Sequence, residues 1–431
     1  MNLYGIERKV TFMIIFKLQK IKQKLDHTEI SDIKQTVSAG FEEQKLSSTI
    51  KKDQKVAIAV GSRGITRINE IVASIVDEIK KVGAQPFIVP AMGSHGGATK
   101  EGQVEILKNY DISEEKMQIP IVSSMETTHL GETKSGIPVY IDLQASGVDH
   151  IIVVNRIKPH TEFKGIIESG LMKMMVIGLG KHKGALNAHN FAVKYGYEKT
   201  LTEIGLHILE HANITYGVGI VENGYGNPHS ISVIKGSDIY HKEQEVLKVA
   251  RKTCPKLPFK KMDILIVSEC GKEISGTGMD TKVIGRIMNI YEEELQEPQI
   301  TRIVLRDLTE QTHGNAVGVG LADFVTKKVA DKIDYNMTYI NCLTAVTPEK
   351  AKLPIVCPND YESLKCAIST CGPVDENSIK IVWIKNTSKL DEMYISEGLI
   401  QVANKNPDIE FIGNPEDVNF DSDGNFGSYD F

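Results

Sequence analysis

What most constrains the fold is a recurring unit: a β-branched run, a Gly-rich turn, then a stretch with helical spacing. In "KVAIAVGSRGITRINEIVASIVDEIKKVG" the apolar residues Ile68, Ile71, Val72, Ile75, Val76 and Ile79 recur at helical intervals, and Gly83 stands where the helix should stop. "QPFIVPAMGSHGGATKEGQVEILKNY" repeats the plan, with Thr99 as N-cap and Glu101 in the first turn, where a carboxylate complements the helix dipole. "HIIVVNRIKPH" reads as a third buried strand that runs into a loop. Apolar strands alternating with helices predict an α/β fold with mainly parallel sheets and right-handed crossovers.

At 431 residues the chain exceeds what one core usually serves. The cationic, Pro-containing segment "TCPKLPFKK" marks a boundary, after which "DILIVS" starts a new strand. Further units follow in "ITRIVLRDLTEQTHGNAVGVGLADFVTKKVADKI" and "KIVWIK", and the tail "DSDGNFGSYDF" is acidic and Gly-containing. The expectation is two α/β domains, residues 1–258 and 259–431, with a cleft between them.

Lys plus Arg number 50 against 56 Asp plus Glu, and the net charge of −6 argues against a nucleic-acid-binding surface. The apolar run "TFMIIF" reads as a strand, since it is too short to span a bilayer and "KLQKIKQK" follows where a cleavage site would lie. A cytoplasmic protein with no membrane partner is expected. Cys254, Cys270, Cys342, Cys357, Cys366 and Cys371 all lie in the second half without C-x-x-C spacing, so they read as reduced structural thiols.

In such folds ligands bind beyond the carboxyl ends of strands. Polar residues gather there: Arg63 in "GSRGI", His95 in "GSHGGAT", His160 in "NRIKPHTEFKG" and Lys282 in "GTGMDTKVIGR". Neither Gly-rich turn matches a P-loop or a dinucleotide fingerprint. Arg63 reads as a bidentate anion clamp or as a surface charge. His95 and His160 read as general acid/base groups or as neutral rings bonded to backbone, and Lys282 as a substrate contact or a solvated lysine. Met117, Met125, Met172, Met174, Met175 and Met279 read as core packing rather than a soft-metal site.

Lys173 sits in the apolar run "LMKMMVIGLG", where a lysine is costly unless exposed, paired or chemically altered. If that run is a strand or sharp turn, Lys173 reaches a cleft or an anion, and a desolvated lysine is also a candidate nucleophile or attachment point. His189, placed after a turn at "KHKGALNAH", is a candidate metal ligand, and a lone histidine suffices only for a metal held mainly by a cofactor. His182 and the other lysines of this stretch read as anion contacts or solvated residues.

From "AIAVGSRGI" to "VNFDSDGN" the chain resembles the lactate racemase superfamily. In that family a motif like Ser-Gly-Gly-X-Lys carries a lysine tethered to a nickel-pincer nucleotide, pyridinium-3,5-bisthiocarboxylic acid mononucleotide nickel, and here "SGLMK" ends in Lys173. The resemblance implies that Lys173 is the covalent attachment point and that His189, 16 residues on, is the nickel ligand. It further implies His95 and His160 as catalytic residues, Arg63 as the substrate-binding arginine, and Lys282 as a substrate contact from a C-terminal domain that closes over the cofactor-binding domain. "VGSRG" stands where the family has Asp-X-X-Arg, Trp383 is the guess for the pocket-shaping aromatic residue, and Glu310, Thr312 and His313 suggest a pocket peculiar to a subgroup.

The implied activity is a racemase or epimerase inverting a secondary-alcohol carbon of a 2-hydroxy acid by hydride transfer to and from the tethered nucleotide. Two histidines suit it, since each acts as base in one direction and acid in the other. The implied partners are the hydroxy-acid substrate and the enzymes that make the cofactor. An NAD-type oxidoreductase is a second reading, against which stands the lack of G-x-G-x-x-G after the first strand. A non-catalytic carrier of a nickel nucleotide or small anion is a third, but it has no need of both His95 and His160.

Overall fold

The computed structural model describes residues 16–62, 64–374 and 378–431. The strands of the first half are β1 (Lys17–Gln23), β2 (Lys55–Val60), β3 (Gln85–Pro90), β4 (Thr127–Glu132), β5 (Pro138–Asp142), β6 (His150–Arg156), β7 (Ile214–Glu222) and β8 (Pro228–Lys235). Those of the second are β9 (Lys261–Val267), β10 (Gln299–Leu305), β11 (Phe324–Thr326), β12 (Ile355–Cys357), β13 (Ile381–Asn386), β14 (Lys389–Ser396) and β15 (Ile409–Asp417). One sheet has the order β3-β2-β6-β7-β8, parallel except for β8. A second has the order β12-β11-β10-β9-β13-β14-β1-β15, parallel from β12 to β13 and antiparallel beyond, and β4 and β5 pair as an antiparallel two-stranded sheet. The expected α/β fold with mainly parallel sheets is what the chain adopts.

Both faces of the first sheet are covered, which is why its strands are apolar throughout. Along β2, Val56, Ile58 and Val60 face one core with the predicted stripe of the Ile68–Lys81 helix. Ala57 and Ala59 face the other, and their small side chains leave room for Leu171, Met172 and Met174. Thr99 caps the Lys100–Asn109 helix as expected, its hydroxyl accepting from the Gly102 N–H.

The strand expected at "TFMIIF" lies outside the described residues except for Phe16; the Lys-rich segment that follows forms β1, between β14 and β15. A boundary near residue 258 assigns this segment to the first domain, yet its hydrogen bonds put it in the second sheet. The alternation that signals a strand is hidden because Gln19 and Gln23 are buried alongside Leu18 and Ile21, their amides donating to the Ile412 carbonyl at 2.8 Å and the Lys256 carbonyl at 3.0 Å. The acidic tail packs: Phe426 lies 4.4 Å and Tyr429 4.5 Å from the Trp383 ring. Trp383, guessed as a pocket residue, is instead fully buried in the second core, with its Nε1–H on Ser268 Oγ at 2.7 Å. Among the described residues no helix is long and apolar enough to cross a membrane.

Trp383 is the only tryptophan in the sequence, so its fluorescence reports on the tail. Phe426→Ala is expected to red-shift the emission and to lower stability in a urea titration by ~3 kcal/mol, the usual loss for truncating a buried aromatic residue. An unchanged emission maximum would mean that the tail does not cover Trp383 in solution.

Candidate active site

The loops at the carboxyl ends of β2, β3 and β6 meet over the segment that carries Lys173. After β2, Ser62 Oγ is hydrogen-bonded to His95 Nδ1, and the Tyr110 hydroxyl holds the Ser62 carbonyl at 2.8 Å. Arg63, the expected substrate clamp, lies outside the described residues. After β3, Gly93 adopts a left-handed φ of +58° and a Cβ there would stand 3.0 Å from the Ile177 carbonyl oxygen, so the close approach needs glycine. Its N–H donates to the Gly178 carbonyl at 3.2 Å, which ties the His95 turn to the Lys173 segment.

That segment is neither a strand nor a sharp turn. Leu171–Lys173 forms a helical turn that widens into a π-helix, Met174–Gly178, and continues into the Lys181–Tyr195 helix that carries His189. A short apolar run does not distinguish buried strand from buried helix by periodicity, and widened turns of this kind are common at functional sites. The turn is anchored at its start, where Asn155 Nδ2 donates to the Gly170 carbonyl at 2.8 Å and the Met172 N–H donates to Glu243 Oε2 at 2.8 Å. A Cβ at Gly170 would stand 2.2 Å from Glu243 Oε1, which explains the glycine of "SGLMK". Glu243 is fully buried, its Oε1 has no hydrogen-bond partner among the described residues, and burial pushes its pKa up to about 7. Sequence reading missed it, although a glutamate on the buried stripe Ile239, Glu243, Leu247, Ala250 was a signal.

His160 is fixed at several points. Its N–H donates to Glu168 Oε2 at 2.6 Å, and Arg251 holds Glu168 Oε1 at 2.7 Å. The Glu162 N–H donates to His160 Nδ1 at 2.9 Å, so a neutral ring carries its proton on Nε2. Nε2 meets Lys173 Nζ at 2.6 Å. Burial, then the nearby cations led by Lys173, holds the His160 pKa well below the ordinary histidine value.

Phe163 lies 4.5 Å from the His160 ring and stacks on Tyr197 at 5.3 Å, with His189 edge-on to Tyr197 at 5.9 Å. The Tyr197 hydroxyl donates to the Ala345 carbonyl at 3.4 Å, so its oxygen accepts from His189 Nδ1 at 3.3 Å and leaves the Nε2 lone pair as the ring's acceptor. Burial and then Lys173 bring the His189 pKa down to about 4, so the ring is neutral at physiological pH. Among the described residues no three His, Cys, Asp or Glu side chains form a metal site, so a metal on His189 would need most of its ligands from elsewhere.

Residues from the second half grip the His160 loop. Thr281 Oγ1 donates to the Thr161 carbonyl, Lys282 Nζ to the Phe163 carbonyl at 3.1 Å, and the fully buried Lys350 pairs with Glu162. Lys282, expected at the substrate, is thus seen on a backbone carbonyl, and Lys350 was not anticipated. Lys181 was expected to be solvated or an anion contact, yet it is fully buried and ion-paired to Asp142 at 3.0 Å, whereas His182 and Lys183 are exposed. Glu310 is exposed on Lys332 at 2.9 Å, Thr312 Oγ1 accepts the Lys272 N–H at 3.1 Å, and His313 takes a left-handed φ of +49° in the same turn.

Residues 7–200 match the lactate racemase N-terminal domain family. No curated protein sequence matches the chain. Its fold is shared with the lactate racemase apoprotein from Thermoanaerobacterium thermosaccharolyticum: the TM-score is 0.51 at 15% identity, over 84% of this chain and 95% of that one.

Glu243 sets a pH dependence. Burial raises its pKa from 4.5 to about 7 in the folded chain, so between these values the folded state binds the extra proton and stability falls as pH rises. Against Glu243→Gln, which mimics the protonated acid, wild type is expected to lose ~2–3 kcal/mol between pH ~4.5 and ~8 in urea unfolding. Parallel stability profiles would contradict the assignment.

Proposed function

We propose that this chain, which carries a lactate racemase N-terminal domain over residues 7–200, is a racemase or epimerase. Its substrate on this reading is a 2-hydroxy acid or related secondary alcohol. The observation that carries the proposal is the 2.6 Å contact between Lys173 Nζ and His160 Nε2, with Nδ1 of the same ring already engaged by the Glu162 N–H. In its uncharged form a lysine amine beside a histidine base is a nucleophile available for covalent attachment.

The residues present suit a nickel-pincer nucleotide. Lys173 would tether it, and His189, neutral and with Nε2 as its acceptor, would be its one protein ligand to nickel. When bound, such a group supplies a pyridinium ring that accepts and returns hydride. The protein's own part is proton handling and orientation. His95 and His160 follow β3 and β6, the strands on either side of β2, and each would take the substrate hydroxyl proton in one direction and give it back in the other. With Nδ1 of His95 on Ser62 and Nδ1 of His160 on the Glu162 N–H, proton exchange falls to Nε2 in both rings. Were Lys173 to hold the group, Nε2 of His160 would be the ring nitrogen left to face the substrate, since Nδ1 is taken by the Glu162 N–H.

Arg63 and Lys282 would hold the substrate carboxylate, Lys282 exchanging the Phe163 carbonyl for it. Residues 281–282 and 345–350, which touch the His160 loop and Tyr197, would exclude water that could trap a reactive ketone. The six cysteines are free thiols, which suits a reducing cytoplasm shared with the enzymes that make the cofactor.

Intact mass and nickel content test the proposal on protein expressed with and without the cofactor's biosynthetic enzymes. Wild type is expected to gain a covalent adduct and nickel, Lys173→Ala to gain neither, and His189→Ala to keep the adduct while losing nickel. An unmodified, nickel-free chain that still inverts a hydroxy acid would refute the proposal.

A further inference from the structure

We propose that Lys181, Asp142 and Gln103 form a buried positioning clamp that fixes the His95 turn against the helix bearing His189. Gln103 lies on the Lys100–Asn109 helix and is fully buried. Its Nε2 donates to the Gly93 carbonyl at 3.0 Å and the His95 carbonyl at 3.3 Å, so one amide group spans the turn that presents the histidine. Its Oε1 accepts from Lys181 Nζ at 3.1 Å. A cation at one end and two carbonyls at the other leave the amide a single orientation.

Lys181 completes the device. Its ammonium donates to the Pro90 carbonyl at 2.5 Å and to Gln103 Oε1 at 3.1 Å, and it is ion-paired at 3.0 Å to Asp142 Oδ2, an oxygen with no hydrogen-bond partner among the described residues. Pro90 is the last residue of β3, so the same ammonium grips both the strand end and, through Gln103, the turn after it. Asp142 is held by the Gln144 and Ala145 N–H groups on Oδ1 and by Lys181 on Oδ2.

Helix stability does not account for this lysine. It is the first residue of the Lys181–Tyr195 helix, where a cation opposes the dipole, and it takes a left-handed φ of +53°, which a non-glycine residue adopts at a cost. Nor does burial favour it, since an apolar residue would fill the space without desolvating an ion pair. What the charge adds is orientation: it turns the Gln103 amide so that its N–H groups face the His95 turn. The catalytic consequence rests on reading His95 as a proton carrier, but the clamp itself does not.

The test reads the position of His95 rather than turnover. In the full chain, the rate of His95 carbethoxylation by diethyl pyrocarbonate is followed by peptide mass mapping, with the exposed His129 and His211 as internal references. Gln103→Glu keeps the acceptor for Lys181 but sets a carboxylate against the Gly93 and His95 carbonyls; Gln103→Met keeps the length and removes both functions. Both variants are expected to fold and to speed His95 modification severalfold, toward the rate in Ser62→Ala, where the ring has lost its hydroxyl partner, with the references unchanged. An unchanged His95 rate in folded variants, when Ser62→Ala responds, would overturn the clamp; so would failure of both variants to fold, which would make Gln103 a stability element. Failure of the functional reading would appear instead as absence of the Lys173 adduct, with the His95 response intact.

Discussion

The structure depends on how an apolar layer accommodates the amine of Lys173. Leu171, Met172, Met174 and Met175 around it are buried against Ala57 and Ala59 of β2, while Lys173 itself is half-buried. His160 meets the need with one nitrogen, and everything else about its loop follows from presenting that nitrogen. The Glu162 N–H fixes the tautomer, Glu168 holds the His160 N–H, and Arg251 holds Glu168. The helix that supplies Arg251 also supplies Glu243, which pins the start of the Lys173 turn. One helix, Ile239–Thr253, therefore sets both partners of the central contact.

The elements were legible in the sequence where a single period governed them. The Ile68–Lys81 helix buries the residues its spacing predicts, and Thr99 caps the next helix. Legibility ended where polar groups go inside. Gln19 and Gln23 mask β1, Glu243 sits on a buried stripe, and Lys181 and Lys350 are fully enclosed lysines. Each is stabilised by a partner far along the chain: Ile412 for Gln19, Asp142 for Lys181, Glu162 for Lys350. Local pattern carries no information about such partners. The π-helix is hidden for a related reason, since its apolar residues satisfy strand and helix alike until Gly93 and Ala91 press against Gly178.

The candidate site divides in the same way. Residue types at strand ends drew notice to His95, His160 and Lys282, and the structure joins His160, Lys173, His189 and Lys282 in one electrostatic neighbourhood. What types could not convey was who holds whom. Lys282 rests on the Phe163 carbonyl, and the His189 ring is oriented by Tyr197, whose own hydroxyl is directed by Ala345.

These attachments make the two histidines unequal. His95 is held by Ser62, and its turn by Gln103 and through it Lys181, all supplied by elements around the first sheet. His160 is held from the first half by Glu168 and Arg251, but its loop is also gripped from the second half by Thr281, Lys282 and Lys350. A displacement of the second half would thus leave the His95 turn intact while removing three supports of the other loop. Lys350 is the critical one, because Glu162 supplies the N–H that sets the His160 tautomer, and a half-buried carboxylate deprived of its cation would pull that loop toward water. The His160 loop, and with it the contact of Nε2 with Lys173, is therefore coupled to where the second half sits.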